Sequence, residues 1–275
     1  MWQGQQPYQQ PTQPVQPGAG GGGGRRTAVV AVVAATAVVT AAGVTGFLLL
    51  GGGTKDGARP SPSPPGAASA LPSGSPRGGA EPQPVIPGWK VVVNPKRGIA
   101  FDVPPEWHRK SVDWASYVAD DRDPEDKPLI GFSAPAMLKE QWCSSDEDRD
   151  GTPEDTALAA AGSRGEDGAR TTEEAARSSV ELWVYGAYTQ PDRAKVETGA
   201  VEPYTTASGL GGSVATATGT ASGTGKCDTD GKATAFAFKN AEGDIVSWTF
   251  LGATGVREEV PDATVRRILG TVRLM

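Results

Sequence analysis

The run from Thr27 to Leu50, TAVVAVVAATAVVTAAGVTGFLLL, holds 24 residues without a single charge. It restricts the chain more than any other feature, because such a run is stable only where its side chains leave water. At a rise of about 1.5 Å per residue it reaches roughly 36 Å, enough to cross a hydrocarbon core of about 30 Å. Ala, Val and Thr make it only moderately hydrophobic, but the lack of charge keeps insertion favourable. A cleaved signal peptide would have a shorter apolar core, about 7–15 residues, behind a short leader, whereas 26 residues precede this one. No cysteine stands directly after the run, which argues against a lipobox. The sequence therefore predicts an uncleaved transmembrane helix over 27–50.

Its direction is less directly encoded. Arg25 and Arg26 abut the run on one side; Lys55 and Arg59, partly offset by Asp56, follow on the other. The cysteines tip the balance. Cys143 and Cys227 are the only two, both lie beyond the helix, and neither belongs to a CxxC. With His108 as the one histidine, a Cys/His zinc site lacks ligands. An even pair in an exterior domain reads as one disulfide, the alternative being two buried thiols in a reducing compartment. The expected arrangement is a single-pass protein of the cell membrane, N-terminus cytoplasmic and C-terminal domain extracellular.

Composition divides the rest. Residues 1–26 are Gln, Pro and Gly with almost no branched aliphatic side chain, so they cannot bury enough apolar area to offset their ordering entropy. They read as a disordered cytoplasmic tail, with PTQP (11–14) and PVQP (14–17) as weak matches to proline-binding modules. Residues 51–87 carry nine prolines among Gly, Ser and Ala and read as a stalk. Residues 1–87 hold five basic and two acidic residues. That leaves 21 and 30 for 88–275, a net charge of about −9. That sign opposes general binding to nucleic acid, whose phosphates must be neutralised, and to anionic lipid.

Residues 88–275 are long enough for one domain with its own core. WKVVVN (89–94) and GIAFDV (98–103) are strands stopped by Pro95 and Pro104. SVDWASYVA (111–119), with Val112, Trp114, Ser116 and Val118 on one face, and LIGFSA (129–134) are two more. An acidic, Gly-containing stretch, 144–170, follows without a periodic pattern. Thr171-Thr172-Glu173-Glu174 is a capping box that opens a helix with Ala176, Val180, Trp183 and Ala187 in one buried stripe, limited by Gly186 and Pro191. GGSVATATGTA (211–221) alternates small and β-branched residues. KATAFAFK (232–239) and DIVSWTFL (244–251) predict a hairpin with Phe236 and Phe238 facing Val246, Trp248 and Phe250. A closing helix places Val265, Ile268, Leu269 and Val272 inward. Strands in runs with separate helices indicate an α+β domain, an antiparallel sheet flanked by helices.

Phe101-Asp102-Val103-Pro104-Pro105-Glu106-Trp107 resembles the F-x-V-P-x-x-W opening of PsbP-like domains, and the later helix, long hairpin and ATVRRILGTVRL helix follow in a similar order. The whole chain resembles membrane-anchored envelope proteins of high-GC actinobacteria, and its domain is similar to LpqN-type envelope lipoproteins, with a helix in place of the lipidated cysteine. The resemblance covers about 88–275. It implies a PsbP-like sheet flanked by helices and action by binding, and it supplies no catalytic residues.

Three patterns could carry chemistry. Asp146-Glu147-Asp148-Arg149-Asp150-Gly151-Thr152-Pro153-Glu154 fits D-x-D-x-D-G-x-x-E, with Asp146, Asp148, Asp150 and Glu154 as oxygen ligands for calcium. The twelfth loop position is Ala157 rather than a bidentate glutamate, which favours a solvated acidic loop over a metal site. His108 could serve as a general base, but no G-x-S-x-G accompanies it. Ser208-Gly209-Leu210-Gly211-Gly212 is Gly-rich but precedes a strand, whereas a phosphate-cradling loop needs a helix N-terminus. The expected function is that of a non-catalytic extracytoplasmic binding or scaffold module. Its partner would be an envelope protein or cell-wall component, with no cofactor unless calcium occupies the acidic loop. A calcium-dependent form of the module and an envelope hydrolase are the alternatives.

Overall fold

A computed structural model describes residues 82–275, except for 147, 148 and 150. The tail, the apolar run 27–50 and stalk residues 51–81 lie outside the described residues. Among those described, no helix is long and apolar enough to cross a membrane.

In chain order the strands are β1 (Lys90–Asn94), β2 (Ile99–Val103), β3 (His108–Arg109), β4 (Ala115–Ala119), β5 (Pro128–Leu138), β6 (Cys143–Ser145), β7 (Glu154–Thr156) and β8 (Ala159–Gly165). Helix α1 (Thr172–Val184) follows, then β9 (Val196–Thr198), β10 (Glu202–Thr205), β11 (Gly211–Gly219), β12 (Gly231–Lys239), β13 (Ile245–Ala253), helix α2 (Asp262–Gly270) and β14 (Arg273–Leu274). Every pairing is antiparallel. A nine-stranded sheet runs β10-β11-β12-β13-β8-β5-β3, with β4 also on β5 and β9 also on β11. A second sheet is β1-β2-β14, and β6-β7 form a separate hairpin.

The expected hairpin forms with Phe236 opposite Trp248 and Phe238 opposite Val246. Alternation along β12 gives the large sheet two different faces. Ala233, Ala235 and Ala237, with Ala215 and Ala217 of β11, make a shallow surface on which α1 lies through Ala176, Val180, Trp183 and Val184. The opposite face carries Phe236, Phe238, Trp248 and Phe250, which pack against Ile99, Phe101 and Val103 and against Val265, Ile268 and Leu269 of α2. Phe101 meets Trp248 edge-on at 6.1 Å between ring centroids, and Phe236 stacks on Phe238 at 5.1 Å. The result is an α+β domain in three layers: α1, the large sheet, and the small sheet with α2.

Helix α1 starts with the N-cap half of its capping box, while the returning Glu174 carboxylate reaches Arg170, one residue ahead of the N-cap. Thr171 Oγ1 accepts from Glu174 N at 3.1 Å, and Glu174 Oε2 accepts in return from Arg170 N at 3.0 Å. The stripe is buried through Trp183, while Ala187 falls past the helix end and is half-buried. Glu166, just after β8, fastens the helix to the sheet. Its Oε1 accepts from Ser179 of α1 at 2.8 Å and from Ser247 of β13.

Several elements differ from the pattern read in the sequence. The aperiodic stretch 144–170 contains β6, β7 and the central strand β8. Strand β8, AAAGSRG, has no β-branched residue, and its small side chains answer a crowded site. A Cβ on Gly162 would sit 2.4 Å from Phe132 Cδ2. Strand β4 starts only at Ala115, so Val112 lies in a turn and is exposed instead of facing inward with Trp114. Strand β5 runs on past Pro135, because a bulge between Ser133 and Ala136 takes the proline out of the ladder and holds Ala134 at φ +48°. The closing helix ends at Gly270, and Arg273–Leu274 turn back as β14 beside β2.

The N-terminal edge is tied in as well. Asp102 is fully buried, and its Oδ2 accepts from Val85 N and Ile86 N while Oδ1 accepts from Arg273 Nη1 at 2.9 Å. Arg273 Nη2 also donates to Gln83 O. Residues 83–86 are thus bound to the domain, ahead of the start at 88 that composition indicates.

Candidate functional site

Cys143 and Cys227 form a disulfide with Cα atoms 5.7 Å apart. It joins the start of β6 to the segment between β11 and β12, and Lys226 Nζ adds a hydrogen bond to Ser144 O. The acidic loop is the tip of this latched hairpin, with Ser145 paired to Glu154. Asp146 Oδ2 accepts from Gly151 N at 3.1 Å, so one carboxylate oxygen closes the turn. Asp148 and Asp150 lie outside the described residues, so the structure places only Asp146 and Glu154 of the four calcium candidates, at the two strand ends of the loop. Among the described residues no three His, Cys, Asp or Glu side chains group as a metal site.

His108 is exposed on β3, opposite Met137. Both sulfurs are bonded to each other, so no thiol is available to it as a nucleophile. The Gly-rich 208–212 segment is the turn from β10 into β11, closed by Thr206 N donating to Leu210 O, and it opens no helix.

A dense set of polar contacts lies elsewhere, where the C-terminus of α1 meets the loop after β4. A Cβ on Gly186 would lie 2.4 Å from Val118 Cγ2, so the glycine lets the chain press directly onto β4. From Tyr185 to Thr189 the helix widens into a single π-turn, followed by a cis Gln190–Pro191 bond. Wide turns of this kind occur often at functional sites. Gln190 binds the two segments together: its Nε2 donates to Gly186 O and Ala119 O, each at 2.8 Å, and its Oε1 accepts from Asp121 N at 2.9 Å.

Tyr185 is the centre of this corner. Its ring is buried, and its hydroxyl donates to Asp120 Oδ2 at 3.1 Å and accepts from Arg122 Nη2 at 3.2 Å. Arg122 also makes a two-pronged pair with Asp120, Nε to Oδ1 at 3.1 Å and Nη2 to Oδ2 at 3.2 Å. The guanidinium of Arg193 rests on the Tyr185 ring, Cζ 3.7 Å from its centroid. The hydrogen bond from Arg122 is the main cause that holds the Asp120 carboxyl down from 3.8 to about 2. Burial, and then the hydrogen bond to Asp120, push the Tyr185 hydroxyl up, so it stays a neutral donor. The corner is therefore an ionised carboxylate, a neutral phenol and two guanidinium groups in fixed contact. Sequence reasoning missed it because its members come from separate segments with no shared motif. The one local signal is Asp120-Asp121-Arg122, which nothing in the sequence sets apart from the chain's other acidic residues.

Two solved structures are similar to the chain over much of their length. The Ran-binding protein Mog1p of Saccharomyces cerevisiae aligns with a TM-score of 0.39 and 13% identity, over 68% of this chain and 95% of its own. Cyanobacterial PsbP (CyanoP) from Synechocystis sp. PCC 6803 aligns with a TM-score of 0.40 and 10% identity, over 74% of this chain and 99% of its own. At these scores the alignments are a likeness only, and no role of this chain follows from them. No curated protein matches the sequence. Residues 82–275 match a family described only as a domain of unknown function, DUF8017, and the chain belongs to that family.

Proposed function

We propose that this protein is a membrane-anchored binding or scaffold module that performs no catalysis and whose domain works outside the cytoplasm. The observation that carries the reading is the Cys143–Cys227 disulfide. Disulfides persist in oxidising compartments and are rare in the cytosol. Together with the uncharged run 27–50, this favours an anchor that leaves the domain on the far side of the membrane from Arg25 and Arg26. The partner in this reading is an envelope protein or a cell-wall component. A binding role also fits the corner around Tyr185, where polar groups are fixed in place without a nucleophile and base arranged for reaction.

Protease treatment of intact cells tests the location. Digestion of the domain, leaving a small membrane-bound stub, is the expected result. A protected domain would reverse the orientation, and loss of the stub would mean that the apolar run is cleaved.

A further inference from the structure

We propose that the guanidinium groups of Arg122 and Arg193, held against Tyr185, form a binding site for an oxyanion, a phosphate or carboxylate group on the partner. This deepens the binding-module reading and rests on it. Cζ of Arg193 is 3.7 Å from the ring centroid, so the guanidinium is in contact with the ring face. A guanidinium carries its N–H donors in its own plane, as a fork that matches the oxygens of an oxyanion. Among the described residues the Arg193 side chain makes no hydrogen bond or ion pair. Arg122 uses Nε and Nη2 on Asp120 and Tyr185, and no bond is formed by its Nη1 among the described residues. Two forks with free donors thus stand at one phenol, and Asp120 neutralises only one of them.

Both forks are held before any ligand arrives. An exposed arginine usually loses side-chain entropy on binding; here stacking and the two-pronged pair have already removed much of that freedom. The segments that carry them are joined by the three hydrogen bonds of Gln190. Four neighbouring acids have partners of their own. Asp126 accepts from Tyr117, Asp123 from Glu125 N and Asp192 from Ala194 N, and Glu125 pairs with Lys127. In a domain of negative net charge, recognition at this point rests on directional, charge-assisted hydrogen bonds rather than on a long-range field.

The test is a titration of the full chain in nanodiscs of zwitterionic lipid, with labelled arginine side chains observed by NMR. Inorganic phosphate and acetate are added in separate arms, and a third arm uses anionic phosphatidylglycerol nanodiscs with no added anion. Saturable shifts of the Arg122 and Arg193 guanidinium signals are expected. Arg193→Gln should weaken binding by about tenfold or more, and Arg193→Lys should fail to restore it, because an ammonium lacks the planar fork. Shifts in the third arm alone would identify a lipid headgroup as the source, and shifts in the first arms a soluble or polymer-borne anion. Shifts that never saturate, or that persist unchanged in Arg193→Gln, would overturn the proposal. A lowered melting temperature in that variant with unchanged binding would reduce Arg193 to a packing residue and overturn it too. None of these outcomes bears on which side of the membrane the domain occupies, which protease digestion decides separately.

Discussion

A Cβ at Gly162 would lie 2.4 Å from Phe132 Cδ2 and 2.6 Å from Cγ, and the ring cannot retreat because Trp183 covers it at 4.6 Å between centroids. Gly162→Ala should therefore destabilise the domain by about 1–3 kcal/mol in chemical denaturation, the usual penalty for overpacking a core. Gly165→Ala, three residues on, is the control. The added methyl would meet Arg97 Nη1 at 2.5 Å, the far end of a flexible side chain, and the loss should be clearly smaller. Asp120 makes a second residue-scale prediction. Its folded value of about 2 lies below its ordinary 3.8, so the ionised carboxylate contributes stability above about pH 4. That contribution is lost as pH falls through about 2. Denaturation midpoints measured from pH 6 down to pH 2 should fall less steeply in Asp120→Asn than in the wild type. Equal slopes would mean that the Arg122 pairing does not favour the folded state.

At the scale of elements, the β6–β7 hairpin depends most on its covalent link. It pairs three residues with three and joins no larger sheet, and an isolated two-stranded hairpin is marginal in water. The bond spans 84 positions, for which chain entropy gives about 4–5 kcal/mol, with about 2–5 found for native bridges. The double variant Cys143→Ser, Cys227→Ser should lose that much stability, and hydrogen exchange should speed up most over 143–156. Uniform loss of protection across β12 and β13 would show that the link supports the whole fold instead. Calcium tests the same hairpin. Asp146 already uses one oxygen to close the turn, and Glu154 is committed to a strand. A few millimolar calcium should leave the melting temperature where equal magnesium leaves it; a calcium-specific rise would install the acidic loop as a metal site. What the sequence revealed follows the same division. Helix α1 and the β12–β13 hairpin were legible because their buried residues recur with the period of their backbone. Strand β8 was not, because Ala and Gly fit any period, and the contact that makes Gly162 necessary comes from Phe132, distant in sequence. The Tyr185 corner was illegible for a related reason: Asp120, Arg122, Tyr185 and Arg193 become a unit only when β4 and the end of α1 are laid together.

For the whole molecule, the boundary at Asp102 matters most. Its buried carboxylate takes two backbone N–H groups from the entering chain and one arginine from the last strand, so both ends of the domain close on one side chain. Residues 82–275 should melt at a higher temperature than 88–275, which leaves that carboxylate with donors missing. Removing one partner of a buried charge usually costs about 3–5 kcal/mol, and Arg273→Ala should approach that loss. Equal melting of the two fragments would confine the fold to 88 onward. In the anchored arrangement proposed above, the same contacts would set the path of mechanical load. Tension on the segment ahead of the domain would arrive at Val85 and Ile86 and pass to Asp102 in the middle strand of the small sheet. Arg273 would share it with β14, so the pull would be spread over two neighbouring strands instead of peeling one free edge. Arg273 and Leu274 would thereby act as the backing plate of that tether.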